Sequence, residues 1–160
     1  LAARVAESLP GAPSVPEEVR NGRVYLDQSR RLLAGMGSAG VSLYVFPSER
    51  GGICAVFDRW GGGCLGEPAF TPDRPISVDL IDPDGPDSGL PAVVAGLVPD
   101  DVVGVQVLVG GKGYEAAVER NAYFLELPSA DDRPTAARAL FSGGGVATVA
   151  LPSTLPPALP

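Results

Sequence analysis

From Val41 to Leu151 the chain is broken at short intervals by glycine, proline, asparagine or aspartate, and between the breaks apolar residues recur at every second position. A period of two over four to eight residues is that of a half-buried strand, whereas a helix needs a longer run with a period near 3.6. This pattern confines the chain to a β-rich fold. Strands are expected over 41–46, 53–57, 76–81, 92–98, 102–109, 114–118, 122–127, 136–141 and 146–151. Gly110-Gly111-Lys112-Gly113, Arg120-Asn121 and Ser142-Gly143-Gly144-Gly145 read as hairpin connections, because glycine and asparagine accept the positive φ that tight hairpins demand. In 102–109 the valines at 103, 105, 107 and 109 are expected to face the core. In 122–127 Tyr123, Leu125 and Leu127 point one way, and Phe124 and Glu126 the other.

Many short strands at this spacing predict a mainly β fold, an immunoglobulin-like β-sandwich with one short N-terminal helix. Leu1, Val5 and Leu9 share one helical face and suit a short helix or the remnant of a linker. Asp27 is placed to cap a second short helix through Leu33, since its carboxylate accepts first-turn N–H groups. The predicted organisation is a linker with a short helix over 1–24, a single sandwich domain over 25–151 and a Pro-rich tail over 152–160, extended in the polyproline manner. At 160 residues and 45% hydrophobic content one sizeable core is affordable.

The only two cysteines, Cys54 and Cys64, flank Phe57-Asp58-Arg59-Trp60-Gly61-Gly62-Gly63, and their spacing suits a single disulfide. Closing so short a loop stabilises by about 2 to 3 kcal/mol through the unfolded chain, and the bond persists where thiols are oxidised. That points to an extracytoplasmic location, secreted or as a membrane-anchored ectodomain. Two reduced buried thiols in a cytosolic protein are the competing reading. No run approaches the roughly 20 apolar residues that cross a bilayer, so any membrane tether is expected outside this segment. Since Leu1 is not methionine, a signal or anchor segment, or an expression boundary, is expected before it.

Net charge of −7 and a pI near 4.5, with one lysine and scattered arginines, disfavour a nucleic-acid partner. Histidine is absent, which removes Ser-His-Asp and Cys-His catalysis and the common zinc sites within this chain. A pair of carboxylates held across a cleft survives that exclusion, and with it glycoside hydrolysis. Asp79, Asp82, Asp84 and Asp87 cluster in a glycine-containing stretch and make calcium the metal to consider. The order departs from the EF-hand loop, Pro83 and Pro86 restrict wrapping, and a solvated turn is the competing reading. Gly110-Gly111-Lys112-Gly113 lacks both the leading glycine and the hydroxyl of a phosphate loop, and a hairpin turn explains it, as it does Gly61-Gly62-Gly63. Trp60 with Arg59 is the best candidate binding site, an aromatic anchor at a loop tip, unless Trp60 folds over the disulfide to cap the core.

Tyr44-Val45-Phe46-Pro47, Cys54 and Cys64, Gly96-Leu97-Val98-Pro99-Asp100 and Arg120-Asn121-Ala122-Tyr123-Phe124 together form a pattern over residues 25 to 150. It resembles exported proteins of high-GC bacteria whose ectodomains follow one N-terminal membrane segment. That resemblance implies no activity, and no functional residue is carried over from it. The expected function is therefore a non-enzymatic extracytoplasmic module that binds a protein or cell-envelope component and needs no cofactor. The alternatives are a carboxylate-dependent glycan hydrolase and the sensory ectodomain of a membrane-anchored signalling protein.

Overall fold

The computed structural model describes residues 23–58, 61–82 and 89–151, and the helix expected over 1–9 and the tail over 152–160 lie outside them. Eleven strands are seen among the described residues: β1 (Arg30–Met36), β2 (Val41–Pro47), β3 (Ile53–Phe57), β4 (Gly61–Leu65), β5 (Asp79–Ile81), β6 (Val93–Leu97), β7 (Val102–Val109), β8 (Lys112–Glu119), β9 (Ala122–Glu126), β10 (Pro134–Phe141) and β11 (Val146–Ala150). They form two antiparallel sheets, one in the order β1-β2-β3-β4 and one in the order β11-β10-β7-β8-β9-β6-β5. The fold is thus the expected mainly β sandwich. Among the described residues no helix is long and apolar enough to cross a membrane.

The sheets meet over a core of Leu33, Val41, Leu43 and Phe57 from the first, and Val93, Ala95, Leu97 and Phe124 from the second. A carboxylate ties them together at the edge of that core: Ser38 donates to Glu126 from its backbone N–H at 2.7 Å and from its hydroxyl at 2.8 Å. The seven-stranded sheet has a second core on its other face. Strand β8 pairs through Lys112–Ala116 with β7 and through Ala117–Glu119 with β9, so it belongs to both halves of the sheet. The sheet curls there around Val94, Val105, Val107, Tyr123, Leu127 and Ala137. Strands β6 and β9 consequently bury both faces, their odd and even residues serving different cores.

Three local expectations are corrected. Asp27 does not start a helix through Leu33: a 3-10 turn over Leu26–Gln28 gives way to β1, which pairs with β2. One turn of helix is too short to sustain itself in water, and the strand gains ladder hydrogen bonds while burying Leu33 to 2% exposure. Gly61-Gly62-Gly63 is strand rather than turn, paired with Phe57, Val56 and Ala55. A Cβ on Gly62 would collide with the carbonyl oxygen of Ala55, so a strand running this close needs glycine there. Val103 is 64% exposed rather than buried, and the core is filled by Val102, Val105, Val107 and Val109 instead. Leu140 pairs with Gly104 and Phe141 with Val102. Val103 is therefore an extra residue, a bulge that shifts the alternation by one.

Candidate functional site

Cys54 and Cys64 are directly opposite on β3 and β4, joined as a disulfide with 4.0 Å between their Cα atoms. The bond links neighbours within one sheet. Arg59 and Trp60 lie outside the described residues, as do Asp84 and Asp87. Asp79 opens β5, and Asp82 stands three positions on. The structure does not bring these two together: Asp79 lines one cleft with Arg74 and Ser77, Asp82 another with Asp132 and Arg133. Among the described residues no group of three His, Cys, Asp or Glu side chains gathers as a metal site. Gly110 and Gly111 form the β7–β8 turn with φ of +57° and +79°, as the hairpin reading requires.

Where the core between the sheets reaches the surface, a groove of about 500 Å³ opens. Leu32, Val45, Ile53, Phe70 and Leu97 form its apolar walls, and Arg30 and Arg120 stand on its border. Arg120 and Asn121 are the two residues of the β8–β9 turn, with φ of +51° and +64°. Positive φ at both positions is the signature of the hairpin turn whose twist matches the strands. Asparagine tolerates that conformation, whereas arginine pays about 1 to 2 kcal/mol for it. Asn121 locks the turn in place, donating from Nδ2 to Asp100 Oδ1 at 2.7 Å and to the Val98 carbonyl at 3.3 Å. Asp100 is thus occupied. Arg120 lies 3.5 Å from Glu119, both well exposed, and such a surface pair leaves the guanidinium free to meet another anion.

A second cleft, of about 340 Å³, lies where β5 and β11, the two edges of the curled sheet, approach β4. The loop ahead of β5 carries Arg74 in a small hairpin, its N–H donating to Thr71 O and its carbonyl accepting from Thr71 N–H, each at 3.0 Å. Its guanidinium is tied back to the loop: Nε donates to Ala69 O at 2.9 Å and Nη2 to Pro68 O at 3.2 Å. Ser77 is also committed, since its hydroxyl accepts from Leu97 N–H at 2.7 Å and its carbonyl from the Tyr123 hydroxyl at 2.8 Å. The Asp79 carboxylate makes no hydrogen bond or ion pair among the described residues, although its backbone pairs with β6. Burial pushes its carboxyl up to about 6, because a charge facing an apolar wall loses hydration that nothing replaces. The Tyr123 phenol is also raised, first by burial and then by the Asp79 charge. No second carboxylate is among the described residues of this cleft.

The sequence groups Asp79 with Asp82, Asp84 and Asp87; Asp82 lines a different cleft, Asp84 and Asp87 lie outside the described residues, and Arg30, Arg74 and Arg120 draw no site reading from the sequence. Arg120 carried a detectable signal, since arginine occupies a turn position where glycine or asparagine is the ordinary choice. Compared with known proteins, the chain matches no family model, no curated protein and no solved structure.

Proposed function

We propose that this chain is a non-enzymatic extracytoplasmic module that binds a protein partner in the groove between its two sheets. The occupant is an extended apolar segment bearing a carboxylate. The observation that carries this reading is the arginine-bordered apolar groove: hydrophobic walls supply affinity, and Arg30 and Arg120 supply charge complementarity to an anionic group. The unfavourable backbone of Arg120 adds support, because a strained residue at a concave site is a familiar mark of a binding role. The Cys54–Cys64 bond is compatible with an oxidising compartment.

The test uses 8-anilinonaphthalene-1-sulfonate, an aromatic anion with the chemistry required of the occupant. The native protein is expected to bind it with enhanced, blue-shifted fluorescence at neutral pH. Phe70→Glu, which puts a like charge on the groove wall, should abolish the signal, and Arg30→Glu with Arg120→Glu should weaken it by at least about tenfold. Circular dichroism and urea midpoints establish that the variants are folded. Equal fluorescence from all three proteins would refute the groove as the site.

A further inference from the structure

We propose that the cleft at Asp79 is a second binding site, for a primary ammonium group carried on an unbranched apolar stem, as in a lysine side chain or an alkylamine. It is independent of the groove reading.

The charge comes first. Asp79 presents a half-buried carboxylate with no hydrogen-bond or ion-pair partner among the described residues, and Arg74, the one cation among the described residues that line the cleft, is held by the Pro68 and Ala69 carbonyls. A cation that enters finds an acceptor whose hydration has already been partly stripped, so its charge-assisted hydrogen bond is stronger than at an open surface. The walls come second. Leu65, Ile76, Val78, Leu97, Val149 and Leu151 are apolar, and an aliphatic stem buries methylenes against them at about 0.8 kcal/mol each. A bare divalent ion would find one carboxylate where it needs six or more oxygens. A quaternary head would have no N–H to donate to the carboxylate.

The entrance is set by Gly63. It pairs with Ala55 and so shares the inner face of the first sheet, and a Cβ built on it meets nothing within 4 Å. The cleft is open at this point because β4 has no side chain there. Burial of Asp79 also raises its proton affinity, and an ammonium partner would reverse that shift.

The experiment is a chemical-shift titration of isotope-labelled protein at pH 7.5 with n-butylamine, with Nα-acetyl-lysine methylamide, and with n-butanol as the uncharged control. Both amines at millimolar concentration are expected to shift amide resonances of residues 76–79, 63–65 and 149–151, and butanol at least tenfold less. Asp79→Asn should reduce the amine response at least tenfold. Gly63→Leu keeps the carboxylate but fills the entrance, and should do the same without loss of fold. A response to butylamine alone assigns the site to free amines, and a response as strong to the lysine derivative assigns it to a lysine of a protein partner. Absence of saturable shifts with either amine, or equal shifts in Asp79→Asn, would overturn the proposal. The anionic-dye titration of the groove is unaffected by either outcome.

Discussion

Replacing Asp79 with asparagine should make the protein more stable at neutral pH and should leave it almost unchanged near pH 4. The carboxyl rises from 3.8 to about 6 on folding, and one pKa unit corresponds to about 1.4 kcal/mol, so full ionisation costs the native state about 3 kcal/mol. Solvent reaches the group from the cleft side, which trims the expectation to about 2 kcal/mol. Because the folded pKa lies above the unfolded one, the native state holds the extra proton between pH 4 and 6. The penalty is therefore complete above about pH 7, declines as pH falls through 6 and is gone once both states are protonated. Asparagine keeps the shape and removes the charge. Urea unfolding of native and Asp79→Asn proteins at several pH values between 4 and 7.5 reads the difference, with the slope m required to stay constant. The gap in stability should grow from near zero to about 2 kcal/mol over that range. An equal gap at all pH values, or a less stable variant at pH 7.5, would show that Asp79 has a native partner and that the account of its burial is wrong.

Arg120→Asn should stabilise by about 1 kcal/mol, since asparagine accepts the left-handed backbone, while weakening dye binding in the groove; a destabilised variant would count against the turn strain. Unreduced, denatured protein should show no thiol reactive toward Ellman's reagent. Replacing Cys54 and Cys64 together by alanine should cost about 2.7 kcal/mol in urea unfolding, the loop-entropy value for a separation of 10 residues. Gly62→Ala should cost more than about 2 kcal/mol through collision with the Ala55 carbonyl, whereas Gly63→Ala should stay within about 0.5 kcal/mol. Equal losses at the two glycines would mean that β4 does not lie as close to β3 as described.

Strand β7 was legible to the residue because valine alternation and the Gly110-Gly111 turn state its length and its end in local terms. What alternation could not reveal was the bulge at Val103, which depends on how β10 pairs across from it. Strand β1 was misread because Leu32-Leu33 followed by Gly35 and Gly37 has the look of a helix that stops, and only the presence of β2 beside it makes extended pairing the better use of those leucines. Strand β4 had no hydrophobic signal at all in its three glycines, and its existence follows from close pairing with β3.

The order of residues alone determined that this chain would be a mainly β protein with a disulfide, since strand period, turn chemistry and the cysteine spacing are all properties of near neighbours. The tertiary structure decided which side chains become chemically unusual. Asp79 sits in an acid-rich stretch that reads as solvated, and it is stripped of water because β4, β6 and β11, distant along the chain, close around it. Arg120 gains its meaning in the same way, from apolar walls contributed by strands far from its turn. Burial and charge pairing depend on what arrives from elsewhere in the fold, and no local pattern records that.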